Sequence, residues 1–197
     1  MSKRLKKGKS YHLNDLADGD LPIIVIGLGW DNWRETSWFD NLLGRRREID
    51  LDLSCVVYDQ HDERIDTVWY ANLKSEDTAI KHLGDDTIGI GGGDDEMMTI
   101  DLYKLRPEVK KIFIVASTFT PDKSFSEVKN CFVRIMDGRD GREVCRHSLQ
   151  GSPNSTIKVM MEIKRGEEGW IVTAIGRAGT GDTIQDVYPV IRKDLYS

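Results

Sequence analysis

At 197 residues, 39% hydrophobic and 31% charged, the chain is long enough to bury one substantial core and reads as a single domain over 1–197. Its net charge of -5 argues against a general nucleic-acid binder. The three cysteines, Cys55, Cys131 and Cys145, lack C-x-x-C spacing and fall inside apolar runs, so they read as reduced, buried thiols.

The chain opens with a basic tail over 1–10, carrying Lys3, Arg4, Lys6, Lys7 and Lys9. No apolar stretch follows it, so it is not read as a secretory signal. Gly8-Lys9-Ser10 ends like a phosphate loop, but Lys3 stands where the first glycine belongs and no strand precedes it. No run approaches the roughly 18 apolar residues that span a bilayer, and the expected location is cytoplasmic, with a peripheral membrane association left open.

Short β-like runs then follow at 23–28, 51–58, 67–70, 97–102, 111–118, 131–136, 143–149, 157–163 and 170–175. Such runs with turn residues between them predict an all-β fold, a two-sheet antiparallel β-sandwich. The first run ends in Gly27-Leu-Gly29, which lacks the third glycine and the helix of a dinucleotide fingerprint and sets Asp31 where pyrophosphate would be repelled. Between 32 and 48 lies a long loop with Trp33, Trp38, Phe39, Leu42 and Leu43, then Arg45, Arg46 and Arg47. Its aromatics either fold back onto the sandwich or, with Trp33, Trp38, Arg45, Arg46 and Arg47, dock on a membrane surface or a partner.

The run at 51–58 alternates only in part, so this strand is expected to be central and covered on both faces. Asp137-Gly-Arg-Asp-Gly141 and Arg165-Gly-Glu-Glu-Gly169 are hairpin signals. Helix is sparse. Ser124-Phe-Ser-Glu127 has capping-box spacing, and Asp182 is placed to cap a short C-terminal helix that Pro189 would kink or end. His12, His61 and His147 have no partners at metal spacing and read as surface residues.

Carboxylates gather in three distant places: Asp31 in GLGWD, Asp50 and Asp52 in DLDLS, and Asp94, Asp95 and Glu96 in GGGDDE. Asn72 to Asp77 and His82-Leu-Gly-Asp85-Asp86 lie between the last two. Two carboxylates about 4 Å apart repel by roughly 1 kcal/mol in water and about 4 at an effective dielectric near 20. Cation binding, raised pKa values or dispersal over a solvated rim would each relieve this, and a mixed oxygen donor set without a Cys or His pair favours a hard cation. An EF-hand does not account for it, because from Asp50 the sixth position is Cys55 and the twelfth is His61. No G-x-S-x-G elbow and no activated cysteine is present, and Asp50 with Asp52 as a glycosidase pair has no sugar platform apart from the loop tryptophans.

GLGWD, IDLDLS, the Asn-Leu-Lys-Ser-x-Asp turn, His-x-Gly-Asp and GGGDDE, in this order, resemble the TerD family of bacterial tellurium-resistance and general-stress proteins, and the long loop after GLGWD and the terminal helix look most similar to its TerZ branch. Thr118-Phe119, Phe125-x-x-Val128-x-Asn130 and Trp170-x-Val-x-Ala-x-Gly176 extend the resemblance from about Tyr11 to the C-terminus. It implies a calcium-binding β-sandwich without enzymatic activity, acting in tellurite or chemical stress, with other tellurium-resistance proteins or a membrane-associated complex as partners.

Carried over by position, the implied ligands are Asp31, Asp50, Asp52, Asn72 and Asp77 in one part of the site and Asp85, Asp94, Asp95 and Glu96 in another, for two calcium ions. His82 is expected to organise the loop. Gly92 stands where the family pattern has an aspartate, and Asp86 returns a charge nearby.

Overall fold

A computed structural model describes residues 2–32, 49–85, 94–148 and 154–195, with Asp31, Asn32, Asp85 and Asp194 as backbone alone. Two six-stranded sheets face each other. The first holds, in order, β1 (Lys3–Arg4), β10 (Glu143–Ser148), β9 (Val128–Asp137), β3 (Ile23–Asn32), β7 (Glu96–Asp101) and β6 (Ile80–Asp85). The second holds β2 (Ser10–His12), β12 (Gly169–Gly179), β11 (Ile157–Gly166), β8 (Lys111–Ser117), β4 (Asp52–Tyr58) and β5 (Arg64–Val68). Every pairing is antiparallel except the two-residue contact of β1 with β10.

Alternation along each strand builds the core. Ile24, Ile26 and Leu28 of β3 and Val133 and Ile135 of β9 meet Leu53, Cys55 and Val57 of β4 and Ile112 and Ile114 of β8 between the sheets. The opposite face of the second sheet is also apolar, with Val56, Tyr58, Phe113, Val115, Ile157 and Val159. The C-terminal helix (Ile184–Leu195) covers it with Ile184, Val187 and Ile191, which fall on one helical stripe. The strand at 52–58 is therefore buried on both faces, as its broken alternation predicts. Each fully buried aliphatic side chain contributes about 1.5–3 kcal/mol, which makes these two layers the main support of the fold.

Several local expectations are revised. A strand, β6, occupies 80–85, where Gly84 at φ +75° and a register shift beside it hide the alternation. The run expected at 67–70 forms as Arg64–Val68, after which Trp69 and Asn72 close a turn. The C-terminal helix runs through Pro189, and its first turn is capped by Asp186, whose Oδ2 accepts from the backbone N–H groups of Asp182 and Thr183. Docking of its apolar stripe onto the sheet outweighs the missing proline N–H.

The basic stretch at the N-terminus lies on the sandwich, with Lys3 and Arg4 paired to Cys145 and Arg146 and Leu5 buried. His147 is correspondingly buried at 4% exposure, where the sequence suggests a surface residue. All three cysteines are free and buried.

A candidate acidic corner between the sheets

Four strand ends meet at one corner of the sandwich. β3 leaves at Asn32, β6 leaves at Asp85, β4 enters at Asp52 and β7 enters at Glu96, while Glu96 pairs in register with both Leu28 and Asp85. β5 begins its pairing with β4 only at Cys55, so it does not reach the backbone of Leu53. Side chains of the other sheet complete that backbone. The Glu96 carboxylate accepts from the Leu53 N–H, and His82 Nε2 lies 3.1 Å from the Leu53 carbonyl oxygen.

The imidazole is fixed by what it touches. The backbone N–H of Gly84 donates to His82 Nδ1 at 3.0 Å, so in the neutral ring the proton sits on Nε2, which donates to Leu53. Nε2 also lies 3.6 Å from Glu96 Oε2. His82 is buried and bridges β6 to β4, a position suited to the organising role expected of it.

Charge accumulates beside this bridge. The Asp52 carboxyl is pushed up to about 7 by burial first, then by the neighbouring charges of Glu96 and Asp50, with His82 acting in the opposite direction. A carboxyl in this condition repels its neighbours when ionised and gains from any positive charge placed among them. Of the predicted ligands, Glu96 and Asp50 both act on the Asp52 carboxyl through their charge. Their donors are all oxygens, a set that fits a hard cation.

The other predicted ligands are placed differently. Asp95 is exposed, and its Oδ2 accepts from the Trp30 backbone N–H at 3.0 Å. Asp94 turns to the outer face of the first sheet, where Arg134 holds it by both Nε and Nη2. Asp77 organises the turn before β6, accepting from Ser75 Oγ at 2.6 Å, Ala79 N at 2.9 Å and Arg106 N at 3.0 Å. Its carboxyl lies below the ordinary range because these donors and the Arg106 charge outweigh the opposing effect of burial. Asn72 is exposed and donates from Nδ2 to the Thr67 carbonyl at 2.7 Å.

The backbones of Asp31 and Asp85 lie at the strand ends of the corner. Trp33, Trp38, Arg45, Arg46, Arg47 and Gly92 lie outside the described residues. Among the described residues, no three His, Cys, Asp or Glu side chains are arranged to hold one ion.

Arg134 is the participant that sequence reasoning passes over. It interrupts an apolar strand between Val133 and Ile135, and such an interruption on a two-sided sheet is the signal that would have found it. Its guanidinium also reaches Glu143 at 3.3 Å, and Glu143 in turn accepts from Arg146 at 2.6 Å.

Comparison with known proteins agrees with this architecture. The TerD domain model matches residues 1–188. The tellurium resistance protein TerZ of Serratia marcescens is 35% identical over 163 residues, which cover 83% of this chain and 83% of TerZ. The stress response protein SCP2 of Bacillus subtilis is 30% identical over 196 residues, covering 95% of this chain and 98% of that protein. The crystal structure of a homologue of the telluride resistance protein TerD from Streptomyces coelicolor A3(2) has the same fold, with a TM-score of 0.65 at 22% identity over 84% of this chain and 95% of its own. With the family model spanning nearly the whole sandwich and relatives alike from end to end, the chain belongs to the TerD family of tellurium-resistance and stress-response proteins.

Proposed function

We propose that this chain is a calcium-binding, non-enzymatic stress protein whose acidic corner takes up the ion. The observation that carries the reading is the Asp52 carboxyl, raised to about 7 by burial and by Glu96 and Asp50. Calcium would supply the positive charge this corner favours and would tie β4 to β7 across the two sheets. Asp50, Asp52 and Glu96 form the described centre of the proposed ligand set. Asp95, Asp31 and Asp85 flank it at the strand ends, and a second ion would draw on the same flank. Asp94, Asp77 and Asn72 support the surrounding framework through the contacts they already make.

In the cell this would be a cytoplasmic protein acting in the response to tellurite or other chemical stress, together with other proteins of the same system. Calorimetric titration of the metal-free protein tests the binding. A heat of binding and a rise in melting temperature are expected, and neither at millimolar calcium would refute the reading.

A second reading concerns docking. β3 ends at Asn32 and β4 begins at Asp52, so the described residues that flank 33–48 stand at the acidic corner. Its tryptophans and arginines would then meet an anionic membrane or a partner surface when calcium is bound. Among the described residues no helix is long and apolar enough to cross a membrane, so any membrane role proposed here is a surface one. Co-sedimentation with anionic vesicles, with and without chelator, is expected to show calcium-dependent binding, and indifference to both vesicles and calcium would remove it.

A further inference from the structure

The helix-covered face of the second sheet is largely apolar, and its buried Thr67 hydroxyl meets Tyr188 of the helix at 3.3 Å. At the end nearest the acidic corner Ser54 and Ser117 are buried at 1% and 0% exposure, and neither hydroxyl has a hydrogen-bond partner among the described residues. Their neighbours on that face are Val56, Val115 and Ile157. A hydroxyl buried without a partner has given up its hydrogen bonds to water for nothing in return, so two of them together call for an explanation.

Register gives one. Ser117 stands directly across from Asp52 in the β4–β8 pairing, and Ser54 lies two residues along β4 from Asp52. Directly paired residues have Cβ atoms about 4.5–5.5 Å apart, and alternate residues of a strand share a face about 7 Å apart. Ser117 and Ser54 therefore line the face that Asp52 also occupies.

The chemistry of this group is narrow. An anion would be repelled by Asp52 and by the Asp50 charge that already acts on it. A soft metal finds no described sulfur or imidazole pair there, since Cys55 faces the sandwich core. Hard divalent cations take six to eight oxygen ligands, neutral as well as charged. Carboxylates alone fall short among the described residues, where no three acidic or softer side chains are set around one point.

We propose that the Ser117 and Ser54 hydroxyls are neutral oxygen ligands that extend the acidic corner along β4 and β8 and complete, with Asp52, a mixed hydroxyl–carboxylate site for a hard divalent cation. This rests on the calcium reading above and adds to it a second class of ligand on a face that the carboxylate pattern does not reveal.

Calorimetric titration with calcium decides, on wild type, Ser117→Ala, Ser54→Ala and Ser117→Cys, each melted first in chelator. The alanine variants lose no hydrogen bond, so in chelator they are expected to melt at or above wild type, while calcium affinity falls roughly tenfold, as for supporting groups at metal sites. Ser117→Cys keeps the volume and offers a soft donor, so it should lose calcium affinity and gain cadmium affinity.

Wild-type affinity in all three variants overturns the inference and leaves the calcium reading standing. Lower melting in chelator with unchanged affinity also overturns it, because the hydroxyls would then serve the fold alone. Absence of calcium binding by wild type overturns both.

Discussion

The guanidinium of Arg134 clasps the carboxylate of Asp94 across the bare backbone of Gly27, with Nη2 2.8 Å from Oδ2 and Nε 2.9 and 3.0 Å from the two oxygens. A Cβ at position 27 would lie 2.2 Å from Asp94 Oδ2, so the glycine is needed for this pair to lie flat on the sheet. The first glycine of Gly27-Leu-Gly29, which imitates the start of a dinucleotide fingerprint, thus has a packing role. It also explains how Asp94, Asp95 and Glu96 reach three different targets, namely Arg134, the Trp30 backbone and the Leu53 backbone.

Gly27→Ala is expected to displace Asp94 and lower stability by about 1–3 kcal/mol, as overpacking does. Arg134→Met leaves the Asp94 carboxylate buried without its counter-charge and should cost about 3–5 kcal/mol. Adding Asp94→Asn to Arg134→Met should recover part of that loss. Urea unfolding measures all three, and a tolerant Gly27→Ala would mean that the pair moves aside at little cost.

Asp52 holds its proton more tightly when folded, at about 7 against an ordinary 3.8. Its contribution to stability is therefore fully present below about pH 4 and is lost as pH rises through 7. In chelator, melting temperature is expected to fall over this window in wild type and to fall less in Asp52→Asn. At neutral pH the same variant should melt higher than wild type in chelator and gain less from calcium. A wild type and variant that melt in parallel across the window would contradict this.

The corner depends on Glu96 finishing the backbone of Leu53. Glu96→Ala leaves that N–H without its acceptor and should cost about 1–3 kcal/mol. Hydrogen exchange at the Leu53 amide is the direct readout, with protection lost there and kept at Cys55, which β5 pairs. His82→Ala is expected to have a comparable cost, since it removes the donor to the Leu53 carbonyl and the acceptor for Gly84 N–H together.

His147 is buried beside the N-terminal strand, its ring against the Leu5 backbone. Burial, opposed by the Leu5 backbone and aided by the Lys7 charge, holds its pKa below the ordinary 6.5. Its contribution to stability is present above the unfolded value and is lost as pH falls through the folded one. His147→Leu should raise stability at pH 5–6 more than at pH 8, which melting curves at the two pH values report. An equal shift at both would show that protonation is not the cost.

The two-layer architecture was legible because alternation survives in the strands that face the core, as at Leu53, Cys55 and Val57, and because glycine turns such as Asp137–Gly141 punctuate them. β6 was not, because a register shift at Gly84 breaks the period on which such reading depends. The helix does not end at Pro189, because the stripe of Ile184, Val187 and Ile191 is satisfied by a sheet distant in sequence, which local propensity does not register.

The chain by itself determined that carboxylates would collect at strand ends, that three thiols would be buried and that the ordered motifs are those of the TerD family. It did not determine how those carboxylates are divided. Asp94, Asp95 and Glu96 are consecutive, yet one is neutralised by Arg134, one holds a backbone N–H and one completes the edge of the opposite sheet. That division depends on which strands lie beside β7 and on where β5 stops, and both arise from long-range pairing. Charge is carried by the sequence, but its compensation is set by neighbours that only the tertiary fold brings within a few ångströms.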